Sequence, residues 1–191
     1  VTFTIAFVTG ATPDKWARVW RDRSQERIEL VPVAETEQLD TIRSGEASMA
    51  LVRLPIDRDG LHCIPLYEEQ QVVVVGKEHY LSLAEEVTLA ELAEEQLVMP
   101  HRSGWTPTAA QLNWPPMSEK EAIEVAASGG GVVIVPASVA RLLHRKDTVA
   151  RPVADLEPTK VGLAWRVDDE DPRVQTFIGI VRGRSERSSR S

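Results

Sequence analysis

A single cysteine in 191 residues leaves no internal disulfide and no multi-thiolate zinc site. That residue, Cys63, sits in the apolar run LHCIPL, the setting of a buried, inert thiol rather than of a nucleophile. No apolar run approaches the roughly 18 residues that a bilayer span needs. No secretory signal precedes Val1, so a cytoplasmic protein with no membrane contact is expected. Positive charge is also in short supply. With 22 Lys and Arg against 29 Asp and Glu, the net charge is −7, the reverse of the basic face that a nucleic-acid-binding body carries. The four histidines, His62, His79, His101 and His144, form no H-x-x-x-H or H-E-x-x-H pair, which argues against zinc. G-x-S-x-G, P-loop and dinucleotide fingerprints are missing, and Ser103 two residues from His101 on one loop does not make a triad. These gaps exclude most enzyme classes, and neither catalysis nor a cofactor or metal is expected.

What remains is ordinary globular material, 42% apolar and 27% charged, enough for one large domain or two small lobes. The most informative stretch is SEKEAIEVAASGGGVVIVPASVA, residues 118–140. Ser118 and Glu121 have the spacing of a capping box. Ala122, Val125 and Ala126 then recur at the spacing of one buried helical face. Gly129, Gly130 and Gly131 stop the helix, because glycine reaches positive φ without steric cost. Residues 132–135 form an unbroken apolar run, as a parallel strand covered on both faces requires, and Pro136 and Ser138 open a further helix. A glycine tripeptide after a helix and before a strand is in the wrong order to cradle phosphate.

The first 55 residues alternate strand and helix. Strands are predicted over 3–8, 28–33 and 49–52. Between them fall a helix from Thr12 and Pro13 to about Arg23 and a shorter one over 37–44, stopped by Gly45. Such alternation implies a parallel sheet with right-handed crossovers. Further strands are expected over 64–67, 71–75, 96–99, 149–153 and 160–167, with a short helix capped by Thr88 and a helical turn over 107–112. Asp171 and Pro172 start a last helix whose buried stripe is Val174, Phe177, Ile178 and Val181. Residues 85–95 hold five glutamates and no basic residue, a solvated acidic face. The ending GRSERSSRS, residues 183–191, has no apolar residue and reads as a disordered tail.

The stretch over 118–140 resembles the second lobe of the effector-binding domain of LysR-type transcriptional regulators. The resemblance extends over residues 2–182. SGEASMALVRLP is similar to the family's G-x-x-D-x-A segment, with Ser48 where Asp is usual. PLYEEQQVVVVGKEH resembles its hinge strand, and TLAELAEEQLVMPHRSG its L-x-x-L helix with the strand and loop that follow. The resemblance implies an α/β, type II periplasmic-binding-protein-like fold of two lobes joined by two crossing hinge strands near 71–75 and 160–165. Lobe 1 would be residues 1–75 and 160–182, and lobe 2 residues 76–159. It implies a non-enzymatic sensor module that closes its lobes on a small metabolite. An extracytoplasmic solute-binding protein of the same fold is the alternative. The family's winged helix-turn-helix is absent from this chain, so no direct DNA binding is expected. The segment between Trp105 and Ser118 is shorter than in relatives.

Parallel α/β lobes take ligands at the carboxyl ends of their strands, where helix N-termini favour an anionic group. By resemblance, Thr9, Gly10 and Thr12 match the family's first effector-contacting loop and Thr36 the second. Arg53 follows the third strand, and His101, Arg102 and Ser103 form the loop of the second lobe. Thr12 is either a ligand contact or only a helix cap, and Arg53 either holds an anion or forms a salt bridge. The resemblance also implies a homodimer. Trp16, Val19 and Trp20 on one helical face would anchor its interface, unless both tryptophans belong to the core.

Overall fold

The computed structural model describes residues 1–99 and 103–183. The chain forms two compact units, one from Val1–Tyr67 and the chain from Lys160 onward, the other from Glu68–Thr159.

The first unit opens with β1 (Phe3–Val8), α1 (Asp14–Arg23), β2 (Ile28–Val33), α2 (Asp40–Ser44) and β3 (Met49–Leu54). β1 pairs in parallel with β2 on one side and β3 on the other. The expected alternation therefore builds a parallel core with all three strand carboxyl ends at one edge. β4 (Leu61–Glu69) and β9 (Thr159–Arg166) complete a five-stranded sheet of order β2-β1-β3-β9-β4, with β9 antiparallel to β3. Successive side chains of a strand face opposite ways. Met49 and Leu51 join a core with Phe3, Ile5, Leu163 and Phe177, whereas Ala50 and Val52 join Ala6, Ile42 and Ala164 on the other face. Helix α5 (Pro172–Val181) closes the first of these faces beside α1. Asp171 caps it, accepting from the Arg173 amide at 2.9 Å, and Pro172 stands in its first turn.

The second unit has the sheet β6-β7-β5-β8, built from β6 (Leu97–Val98), β7 (Val132–Pro136), β5 (Gln71–Gly76) and β8 (Thr148–Pro152). β5 is central, paired antiparallel with both β7 and β8. Its run QVVVVG is buried on both faces: Val72 and Val74 meet α3 (Glu119–Ala127) and α4 (Ala137–Leu142), while Val73 and Val75 meet Leu81, Leu92 and Leu97. The capping box of α3 is complete, with Glu121 N donating to Ser118 Oγ at 3.2 Å and Ser118 N to Glu121 Oε2 at 2.8 Å. Beyond it Gly129 has φ 84°, and a Cβ on Gly131 would stand 2.7 Å from the Gln96 carbonyl. Only glycine fits there.

Several expectations are corrected. β7 is parallel to β6 alone, so the second sheet is mixed. The predicted hinge strand 71–75 is the middle of that sheet, because its ladder partners all lie in the second unit. The chain passes between units after Tyr67 rather than after Val75, and β4 and β9 are the strands that cross the boundary. Leu163 and Val74 lie in separate cores. The helix expected over 37–44 is a 3₁₀ turn, Glu35–Glu37, followed by α2, and the Thr88 element is likewise a 3₁₀ turn, Ala90–Leu92. No helical turn forms over 107–112. Two glutamines fasten that segment beside β6 instead. Gln96 donates to Ala110 O and accepts from Leu112 N, both at 2.8 Å. Gln111 accepts from Leu97 N at 2.7 Å and donates to Glu95 O at 3.0 Å. The tail beyond Gly183 lies outside the described residues.

Trp16 and Trp20 belong to the core of the first unit and not to an exposed interface. Trp20 is 1% exposed, stacks on Phe3 at 4.8 Å and donates its indole N–H to Glu26 O at 2.9 Å. The exposed positions of α1 are Asp14, Lys15, Arg18, Arg21, Asp22 and Arg23. Trp20→Ala is therefore expected to cost about 3–5 kcal/mol, measured by urea denaturation, without changing the oligomeric state. Arg173, hydrogen-bonded to the Asp171 carboxyl at 2.7 Å, holds that group below its ordinary range. Its contribution is complete above the unfolded value near 3.9 and is lost as pH falls through the lower folded value. Asp171→Asn should remove this part of the acid dependence in pH-resolved melting curves.

Candidate functional site

The parallel arrangement of β1, β2 and β3 delivers three strand ends to one edge of the first sheet; Thr9, Gly10, Thr12 and Thr36 lie on the segments that follow β1 and β2, and Arg53 lies near the end of β3. β1 ends in a tight turn, Ala11 N donating to Val8 O at 3.0 Å, with Gly10 at φ 87°. Thr12 is exposed, and its hydroxyl donates to Asp14 Oδ2 at 2.6 Å. It is not the cap of α1, a position held by Pro13 with no side-chain bond. Asp14 in the first turn of α1 places a negative charge where the helix would otherwise attract an anion most strongly.

Arg53 is the best-anchored of the five. It is 5% exposed, and its Nη2 donates to Thr9 O at 3.0 Å, joining the end of β3 to the loop after β1. Its main chain is clasped by Gln38, whose Oε1 accepts from Arg53 N at 2.8 Å and whose Nε2 donates to Arg53 O at 2.9 Å. Thr36, two residues before Gln38, is exposed on the rim of a hollow of about 320 Å³ lined also by Leu39, Arg43 and Asp57. Thr9 and Arg53 are thus in direct contact, and the Thr36 loop is joined to them through Gln38. Thr12 stands apart on its own turn.

In the second unit Ser103 is buried, and its hydroxyl is engaged within its own loop. It donates to Trp105 O at 2.9 Å and accepts from Trp105 N at 3.2 Å. Gln71, 4% exposed, donates to Ser103 O at 3.4 Å and Glu157 O at 2.8 Å, so it sets this loop from beneath. Met99, at the end of β6, has φ 58°, a left-handed conformation rare outside glycine and concentrated at functional turns. His101 and Arg102 lie outside the described residues. Sequence reasoning missed Gln38 and Gln71. Both are buried polar residues at element ends, and neither belongs to a periodic pattern that would mark it.

Little here supports catalysis. Among the described residues no group of three or more His, Cys, Asp or Glu is placed to hold a metal ion. His79 donates through Nε2 to Glu95 Oε1 at 3.1 Å, while its Nδ1 accepts from Leu81 N at 3.1 Å. Nδ1 thus caps the 3₁₀ turn Tyr80–Leu83, and Nε2 ties the ring to Glu95. A hollow of about 630 Å³ lies at the amino ends of the strands beside Val1, Arg27 and Arg173. Arg173 is fully occupied there by Asp171, Glu26 and Val1 O. Burial pushes the Cys63 thiol up, against a weaker opposing effect of Arg58. Cys63 is therefore expected to react with an aromatic disulfide reagent at neutral pH more slowly than free cysteine, followed by absorbance.

Comparison with known proteins agrees with this geometry. The family model described as LysR substrate binding domain matches residues 3–186. The chain is 29% identical over 95% of its length to the Hca operon transcriptional activator HcaR of Escherichia coli (strain K12), covering 67% of that protein. It is 23% identical over 98% of its length to the HTH-type transcriptional regulator AlsR of Bacillus subtilis (strain 168), covering 68%. Both relatives are named as regulators, not enzymes. Among solved structures, the BenM effector binding domain with its effector benzoate superposes with a TM-score of 0.76 at 22% identity, over 95% of this chain and 90% of that one. The reduced OxyR regulatory domain from Pseudomonas aeruginosa gives 0.72 at 18%, over 95% and 96%. At these identities the structures speak to fold alone.

Proposed function

Because the chain belongs to the LysR substrate binding domain family, we propose that it is the effector-sensing module of a LysR-type regulator, binding a small, anionic metabolite. The observation that carries this reading is the convergence of three parallel-strand ends on Arg53. Its guanidinium lies against the Thr9 loop, and its planar fork suits a carboxylate or phosphate. Thr9, Gly10, Thr12, Thr36 and Arg53 are the proposed contacts from the first unit, and His101, Arg102 and Ser103 those from the second. The carboxylate effector named for the BenM domain makes small aromatic acids the first compounds to try.

The module is proposed to act as a cytoplasmic homodimer and to read no DNA by itself. A net charge of −7 opposes the approach of a polyanionic duplex. Among the described residues no helix is long and apolar enough to cross a membrane.

The test is a thermal-shift screen of small mono- and dicarboxylates that includes benzoate, followed by calorimetry on any that raise the melting midpoint. Arg53→Lys, which keeps the charge but loses the fork, is expected to weaken binding by about 1.5–3 kcal/mol in a protein of unchanged circular dichroism. A screen with no responding acid, or a wild-type affinity in Arg53→Lys, would overturn the site.

A further inference from the structure

The end of β3 has an unusual partner. The β1–β3 ladder runs only from Ile5↔Met49 to Phe7↔Leu51, because β1 stops at Val8 and turns away through Thr9 and Gly10. β3 continues two residues past Val52, to Leu54. Arg53 lies opposite Val161 of β9, while its N–H and C=O both point to the side that β1 has left. Buried main-chain groups on that side need partners, and the Gln38 carboxamide supplies both, one donor and one acceptor in a single planar group. It does for Arg53 what another strand residue would do in a ladder. From the extended position that results, the arginine side chain reaches the Thr9 carbonyl.

We infer that Gln38 is a positioning residue for the effector site: by replacing the missing ladder partner of Arg53 it presets the guanidinium and locks the loops after β1, β2 and β3 to one another. This rests on the effector reading above only for its consequence in binding. The geometric part stands by itself. Side chains at such a joint are 8% and 5% exposed, so the two bonds are sheltered from competing water. Glutamate would keep the acceptor but set a carboxylate against the Arg53 carbonyl, and methionine would keep the length and lose both bonds.

The experiment compares wild type, Gln38→Met and Ile42→Val, the last trimming the buried residue on α2 without touching Arg53. Backbone amide exchange at Arg53 is read by NMR, and binding of the tightest carboxylate from the screen by calorimetry. In Gln38→Met, Arg53 exchange is expected to rise at least about tenfold above its value in Ile42→Val, one lost buried bond being worth roughly that factor. Affinity should fall about tenfold while Ile42→Val binds normally. Exchange at Arg53 that is unchanged in Gln38→Met, or raised equally in both variants, overturns the inference whatever the binding result. If exchange rises as expected but Arg53→Lys binds like wild type, the positioning stands and the effector site is wrong.

Discussion

The antiparallel ladder between β3 and β9, in which Met49 faces Trp165 and Leu54 faces Lys160, is the constraint on which the architecture turns. It joins segments separated by the whole second unit and so makes that unit an insertion into the first sheet. Closing so long a loop costs little more than closing a short one, since the entropy grows only with the logarithm of length. The ladder then places Val161 and Leu163 on the side of Phe177 and Trp20, and Ala164 on the side of Ala6 and Ile42. Without it the parallel core of β1, β2 and β3 would end in an open edge at β3, and α5 would lose the part of its sheet face that Val161, Leu163 and Trp165 supply.

Much of this was legible in residue order because local chemistry and tertiary packing agree. The alternation over residues 1–55, the capping box at Ser118 and the Asp171-Pro172 start of α5 each depend on neighbours close in sequence. Where the outcome depends on distant partners, the pattern alone misleads. QVVVVG reads equally well as a hinge or as a central strand, and only its ladders with β7 and β8 decide. The two tryptophans of α1 would suit an interface as well as a core. The stack on Phe3 and the bond to Glu26 O settle them inside. Residues 107–112 have helix-compatible composition, yet Gln96 and Gln111 give their backbone a better set of partners.

The candidate site was legible to the same degree. Strand-end loops follow from parallel topology, so Thr9, Thr36 and Arg53 could be named in advance. That Arg53 is drawn against Thr9, and that Thr12 turns to Asp14, could not. Such details are set by single side-chain bonds across the fold, which leave no periodic trace in the sequence.

Four glutamines fasten the irregular parts of this molecule: Gln38 at the end of β3, Gln71 beneath the Ser103 loop, and Gln96 with Gln111 along β6. A carboxamide neither titrates nor carries net charge, so these joints are indifferent to proton concentration and to the ionic screening that weakens exposed charge pairs. The loops that rest on these four joints are therefore fastened alike across a range of salt and acidity, even in a chain of net charge −7.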